Sequence, residues 1–402
     1  MFQSSAVSHA IMSIDRIPRW DIFCSVVDNY GDAGVAWRLA RQLASEYGVD
    51  VFLFIDELSA LARIAPELSA DVDRQQAGGV DVVRWREPRA AFVATGHRQA
   101  DVVVEAFGCG LPAAYLLAMT ERARAPVWIN LEYLSAEPWI DGCHALASRH
   151  PRLPLERYFY FPGFTASSGG LLREYGLFAR RDAFRADVDA RAMLWRRLQV
   201  EPPNADALVV SLFCYPSRAI AWLLDAWSQG GREMVCVVPE GVAGAALGDW
   251  SDDLPSPGAP RTRGRLRVDR VAFVSQDEYD RLLWSCDINF VRGEDSFVRA
   301  QWAALPFLWQ AYPQADAAHL SKVAAFLDRY CIGLPPSATA ALRAFTDAWN
   351  DDASDPQRAA WLWPAMLASE KVLDAHAKSW AQRLAHNADL TAALVKFILD
   401  KV

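Results

Sequence analysis

The chain has 402 residues, of which 52% are hydrophobic, 22% charged and 11% aromatic, a balance that supports a large core and excludes disordered, collagen-like and coiled-coil sequences. Two domains are expected at this length. A formal net charge of -8 argues against general affinity for nucleic acid or anionic membranes, and no apolar run reaches the roughly 18 to 20 residues that span a bilayer, so neither partner is expected.

Residues 1–19 carry no basic leading segment and no small-residue cleavage pattern, and read as a loose N-terminal extension of a cytoplasmic protein. The apolar run 22–27 predicts a strand. It leads into Asp28-Asn29-Tyr30-Gly31-Asp32-Ala33-Gly34-Val35, and a helix-like run follows at 36–44. Read as a glycine-rich strand-to-helix turn (Asn29, Tyr30, Gly31, Gly34), this stretch lets a ligand approach the backbone beside the unpaired N–H groups of a helix start. Asp28 and Asp32 at its mouth suit a cationic or proton-losing acceptor better than a phosphate, which they would repel. The same residue types are ordinary turn and N-cap residues, and that reading stands beside the first.

Strand-like runs at 51–55, 80–83, 102–105 and 127–131 alternate with helical segments such as 35–45 and 112–122, which predicts a mainly parallel, helix-covered sheet. The alternation breaks over 132–185, where aromatic and turn residues read as functional loops and the approach to a linker. Sixteen tryptophans, many among apolar neighbours, read mostly as packing. Cys24, Cys109, Cys143, Cys214, Cys236, Cys286 and Cys331 form no close pair and are expected to be reduced and mostly buried. His144 beside Cys143 is the nearest approach to a metal pair, but adjacent side chains point apart and lack partners at suitable spacing, so no metal site is expected.

The polar piece Val200-Glu201-Pro202-Pro203-Asn204 marks the expected domain boundary, and strand-helix alternation restarts at 207–213. A helix at 220–228, strands at 234–238 and 268–274, a helix at 276–284, a strand at 288–291 and, after Glu294, a helix running to Ala303 continue it. The proline-containing segment 249–265 reads as a surface loop. Amphipathic helices at 377–384 and 391–402 close the chain, one of them expected to return to the first domain. The expected division is therefore 1–19, 20–200, 205–378 and 379–402, with a cleft at the carboxyl ends of the strands of two facing sheets.

The turn Arg292-Gly293-Glu294-Asp295-Ser296 suits a diphosphate: Asp295 or Ser296 stands where the helix start exposes N–H groups, and Arg292 can add charge-assisted hydrogen bonds. Alternatively, Glu294 and Asp295 are favourable first-turn acids with Arg292 as their surface partner. Phe213 and Tyr215 close another strand at the same edge, and Phe273, Gln276 and Tyr279 lie at the next strand end and helix start. Aromatic faces with one amide match a nucleobase, although each aromatic taken singly also fits a core.

These blocks occur in order with Phe161-Pro162-Gly163-Phe164, Gly169-Gly170-Leu171-Leu172-Arg173-Glu174, Phe213-Cys214-Tyr215-Pro216, the run from Val291 to Trp302, and Tyr312-Pro313-Gln314 with Ala318-His319. Over nearly all of its length after the extension the chain resembles the EarP family, bacterial protein-arginine rhamnosyltransferases that modify translation elongation factor P. The resemblance implies an α/β fold of glycosyltransferase B architecture, with two facing Rossmann-like domains around a central cleft, the first on the acceptor side and the second for the nucleotide sugar. It implies a metal-independent inverting mechanism without cofactor and dTDP-β-L-rhamnose as donor. The acceptor would be an arginine on a loop of elongation factor P, which modification activates for polyproline-stalled ribosomes. By resemblance the important acids are Asp28, Asp32 and Glu294, and the donor-site residues are Phe213, Tyr215, Phe273, Gln276, Tyr279, Arg292, Asp295 and Ser296. Tyr279 stands where relatives carry phenylalanine; its ring can line a base pocket, while its hydroxyl needs a partner.

Arginine is a poor nucleophile, with a pKa above about 12 and a delocalised lone pair, unless its proton is taken and its charge held by anions. Asp32 as general base and Asp28 as orienting anion would do both, or the two could exchange roles; Glu294 would bind the sugar or hold the acidic cluster. Arg292, Tyr215, Ser296 and the helix start would stabilise the departing diphosphate. A nucleotide-sugar epimerase, a transferase with another acceptor, or a non-catalytic module binding elongation factor P are the alternatives on the same scaffold.

Overall fold

The computed structural model describes residues 18–85, 100–250, 255–314, 316–351 and 355–401, so residues 1–17 of the expected extension lie outside the described residues. The chain divides into two compact units, Met1–Tyr175 with Leu384–Val402, and Gly176–Arg383.

In the first unit, Arg19 and Asp21 form a buried ion pair, Nε to Oδ1 3.0 Å, that lets β1 (Arg19–Cys24) begin ahead of the apolar run. The strand expected at 22–27 is thus displaced. At its far end the N–H groups of Val26 and Val27 are taken by the carboxylates of Asp56 and Asp32 instead of a neighbouring strand. The sheet continues with β2 (Asp50–Ile55), β3 (Arg74–Ala77), β4 (Val80–Arg84), β5 (Val102–Ala106), β6 (Val127–Leu131), β7 (Leu146–Arg149) and β8 (Glu156–Tyr160). Their order is β3-β4-β2-β1-β5-β6-β8-β7, parallel except for the edge strands β3 and β7. The segment 132–185, read as loops, therefore carries β7, β8 and the helix Leu177–Ala186.

One face of this sheet buries Phe23, Phe54, Trp85, Tyr115 and Trp128 in a single cluster, with Phe23 and Phe54 stacked at 4.6 Å. The helix Leu390–Leu399 belongs to this unit: Thr391 Oγ1 donates to Gln42 Oε1 at 2.7 Å. The block Gly169 to Glu174 makes that return possible. Arg173 donates to the carbonyls of Ala385 and Asn387, and a Cβ on Gly170, whose φ is 76°, would stand 2.3 Å from the carbonyl oxygen of Ala388.

The second unit holds β9 (Leu208–Leu212), β10 (Met234–Pro239), β11 (Arg261–Arg263), β12 (Leu266–Val271), β13 (Ile288–Arg292) and β14 (Phe307–Gln310), ordered β11-β12-β10-β9-β13-β14 and parallel except for β11. Its core is aromatic: Phe290 packs against Trp227, Phe345, Trp349 and Trp363. The polar piece 200–204 falls inside this unit. The helices Leu177–Ala186 and Val188–Arg197 ahead of it join the second core, with Arg181 and Arg185 donating to the carbonyls of Trp302 and Ala303 and Phe184 packing on Trp284. The segment 249–265 is more than a loop, since β11 pairs along β12; residues 251–254 of it lie outside the described residues.

Twelve of the sixteen tryptophans are buried, leaving Trp309 half-buried and Trp139, Trp222 and Trp361 exposed. All seven cysteines are free thiols, five of them buried. Among the described residues no helix is long and apolar enough to cross a membrane.

Candidate active site

In each sheet the strand order reverses direction beside the first strand of the unit, between β1 and β5 in one and between β9 and β13 in the other. Ligands of open α/β sheets bind beyond the carboxyl ends of the strands at such switch points. Asp28 and Asp32 follow β1. Phe213 and Tyr215 follow β9, and Arg292 to Ser296 close β13.

The turn expected at 28–35 is corrected by the structure: the helix Asn29–Tyr47 begins seven residues before the helix-like run, so Tyr30, Gly31 and Gly34 lie in its first turns. Asn29 alone takes a positive φ, 32°, and neither glycine does. Gly31 serves by its size. A Cβ there would stand 2.5 Å from Asp28 Oδ2. Asp28 occupies the N-cap position without making a side-chain capping bond, which removes the simple capping role for it. Asp32 instead reaches back, and its Oδ2 accepts the N–H groups of Val27 and Asp28, each at 2.8 Å. Only 1% of Asp32 is exposed. Burial pushes its carboxyl above the usual range, opposed by hydrogen bonds from Asp28, Val27 and Tyr133, while Asp56 nearby raises it further.

In the second unit Arg292 faces the end of β9. Its Nη1 donates to the carbonyl of Cys214 at 3.0 Å, and its guanidinium carbon lies 4.6 Å from the ring centres of both Phe213 and Tyr215. Ser296 Oγ accepts the N–H of Arg292 at 3.0 Å and donates to its carbonyl, closing the turn ahead of the helix Asp295–Ala303. Glu294 is half-buried at the N-cap and makes no capping bond. The Asp295 side chain is turned inward: Oδ2 accepts Gln276 Nε2 at 3.0 Å and Arg299 Nε at 2.9 Å, and Arg299 also pairs with Asp280 at 2.9 Å. Asp295 thus braces Gln276. The Tyr279 ring lies 5.5 Å from that of Phe213, with its hydroxyl end buried beside Ser296, and half-buried Phe273 lies between β12 and the helix Gln276–Ser285.

The structure therefore gathers Asp28 with Asp32 in one unit, and Phe213, Tyr215, Tyr279, Arg292, Ser296 and the Gln276–Asp295 pair in the other. Sequence reasoning missed Gln310, whose Oε1 accepts the N–H of Tyr215 at 2.8 Å, and gave no site role to Tyr312, whose ring meets that of Tyr215 edge-on at 5.5 Å. It also missed Phe107 and Tyr133, stacked at 4.5 Å beyond β5 and β6. The glycines after Phe107, at 108 and 110, were the available signal of a strand end at the switch point. The cluster in the first unit presents anions, chemistry that suits a cationic group; the cluster in the second presents aromatic faces, an amide and a guanidinium, chemistry that suits a nucleotide.

A family model described as elongation-factor P (EF-P) rhamnosyltransferase EarP matches residues 20–399. The protein-arginine rhamnosyltransferase of Pseudomonas putida is 48% identical over 94% of this chain and 98% of its own. A solved structure described as the basis for EarP-mediated arginine glycosylation of translation elongation factor EF-P is similar at a TM-score of 0.67 and 36% identity, covering 96% of this chain and 99% of that one. The spinosyn rhamnosyltransferase SpnG, at 13% identity and a TM-score of 0.50 over 94% of this chain and 99% of its own, shares the glycosyltransferase B fold.

Proposed function

This chain belongs to the EarP family and is a protein-arginine rhamnosyltransferase, and we propose that it moves rhamnose from dTDP-β-L-rhamnose to an arginine of translation elongation factor P with inversion at the sugar carbon. The observation that carries the reading is the Asp28–Asp32 pair at the end of β1, where a buried carboxylate of raised proton affinity stands beside a second acid.

In this scheme Asp32 accepts a proton of the acceptor guanidinium, leaving a neutral guanidine, and Asp28 orients it and pairs with the positive charge that returns as the new bond forms. The freed nitrogen lone pair attacks the anomeric carbon from the side opposite the diphosphate, the carbon–oxygen bond to the diphosphate breaks, and β becomes α. The leaving group departs with the bond electrons onto dTDP, whose charge Arg292, Tyr215, Ser296 and the start of the helix Asp295–Ala303 stabilise. Phe213, Phe273, Tyr279 and Gln276 take the base. Glu294 is the third acid, assigned to the sugar or to the acidic cluster. The scheme requires no metal or cofactor, and its setting is the cytoplasm, where the modified factor would serve polyproline-stalled ribosomes.

The test is the intact mass of elongation factor P after incubation with this protein and dTDP-β-L-rhamnose in EDTA, with Asp32→Asn in parallel. A deoxyhexose gain mapped to arginine, from wild type alone, is expected. No gain with donor and acceptor verified as competent would overturn the acceptor and donor assignment, and a gain that appears only when EDTA is omitted would overturn the metal-free scheme.

A further inference from the structure

Tyr133 lies just beyond β6, and its hydroxyl donates to the Asp32 carboxylate. Its ring stacks on Phe107, with centres 4.5 Å apart and planes 18° from parallel. Phe107 follows β5 and holds a φ of 58°, a conformation that residues with a Cβ rarely adopt. The N–H of Phe107 donates to the carbonyl of Leu131 at 2.6 Å, which ties the ends of β5 and β6 together beneath the stacked pair. Tyr133 is thereby held at both ends, ring against Phe107 and oxygen against Asp32.

We propose that Tyr133 is a positioning residue for rhamnosyl transfer: its hydroxyl holds the Asp32 carboxylate in a fixed orientation toward the acceptor, and Phe107 keeps the hydroxyl in place. The proposal deepens the reading of Asp32 as general base and rests on it.

The groups facing Asp32 define what such a donor adds. Cys24 lies behind it, its thiol pushed up by burial and then by Asp32, and so neutral. Asp56, which accepts from Ser25 Oγ and the N–H of Val26, adds a like charge, and Asp28 supplies a second acid beside the site. None of these favours a negative charge on Asp32. The N–H groups of Val27 and Asp28 do, and they are fixed by the backbone. Tyr133 is different in kind, because a hydroxyl can donate to the carboxylate before proton transfer and accept from the carboxylic acid afterwards. The proton passes from guanidinium nitrogen to Asp32 oxygen and no further group changes charge.

The experiment is a carbon-13 titration of the aspartate carboxyls in the full chain, with Asp32→Asn assigning the Asp32 signal, run beside the pH profile of kcat/KM for transfer. Tyr133→Phe keeps the ring stack and removes the donor. Its Asp32 midpoint and the acid limb of its profile should both move up by about one pH unit, with KM for the donor unchanged. Phe107→Leu keeps the hydroxyl but loosens its support, and should move the midpoint in the same direction by less. An Asp32 midpoint unmoved by Tyr133→Phe, with Asp32→Asn inactive, overturns the proposal and leaves the base assignment standing. An Asp32→Asn protein that transfers at the wild-type rate overturns the base assignment and the proposal with it.

Discussion

Asp32 Oδ2 accepts the backbone N–H of Asp28 at 2.8 Å, so the orientation of one acid is fixed by the main chain of the other. The pair forms a rigid acidic corner, not two independent surface carboxylates. Burial raises the proton affinity of Asp32 in the folded state above that of an unfolded chain. The sign follows: its contribution to stability is fully present below the unfolded carboxylate pKa of about 3.9 and is lost as pH rises through the folded value, leaving ionised Asp32 a net cost at neutral pH. Asp32→Asn keeps an oxygen for the same two N–H groups and removes the buried charge. Transfer should fall on the order of 10² to 10⁴-fold. Urea unfolding from pH 4 to pH 8 should show the variant gaining on wild type as pH rises. A variant that instead loses stability with rising pH contradicts this account.

Gly31→Ala separates helix physics from site geometry. In an exposed helix the change stabilises by up to about 1 kcal/mol. Here the new methyl would meet Asp28 Oδ2 at 2.5 Å, and the far end of a side chain is what must move. Folding stability should therefore change little while transfer falls tenfold or more, as expected for a displaced acid at the acceptor site. Full activity in a folded Gly31→Ala protein would remove Asp28 from the mechanism.

Arg292→Lys tests whether a planar cation is needed between Phe213 and Tyr215. The guanidinium lies over both rings and reaches the Cys214 carbonyl, and an ammonium cannot match that planar stacking while offering two parallel donors to a diphosphate. The loss in kcat/KM should be on the order of 10² to 10³-fold, with weaker dTDP binding by calorimetry. Unchanged dTDP affinity would place Arg292 in the packing of β9 against β13 alone.

The parallel strands were legible because they are mostly apolar and buried on both faces, as at 102–106 and 127–131, and the candidate site residues stand where such runs stop. The edge strands were not. Arg74–Ala77 and Arg261–Arg263 are polar and antiparallel, held by backbone ladders that leave no apolar pattern. The start of the helix at Asn29 was hidden for another reason: Asp, Asn and Gly carry turn propensity, and the helix prevails because Asp32 satisfies the N–H groups of the preceding residues. Tyr133 and Gln310 were invisible because each acts through a partner far away in sequence, Gln310 on Tyr215 across 95 residues. The direction of the Asp295 side chain is not legible in the sequence, since it turns toward Arg299 one helical turn on.

That inward turn gives Asp295 a double consequence. Asp295→Ala leaves Arg299, itself 3% exposed, with Asp280 as its carboxylate partner, and releases Gln276 Nε2. Breaking a buried ion pair costs about 3 to 5 kcal/mol when the remaining charge is stranded, and the surviving Asp280 contact should hold the loss nearer about 2 kcal/mol. Gln276 would then lose its fixed orientation, and dTDP affinity should fall further than a helix-terminal charge alone explains. Asp295→Asn restores an acceptor for Gln276 without the charge. It should recover most of the nucleotide affinity while recovering little of the stability, a split readable by calorimetry and urea unfolding on the same samples. Equal recovery of both would show that Asp295 acts on the nucleotide only through the overall stability of the second unit.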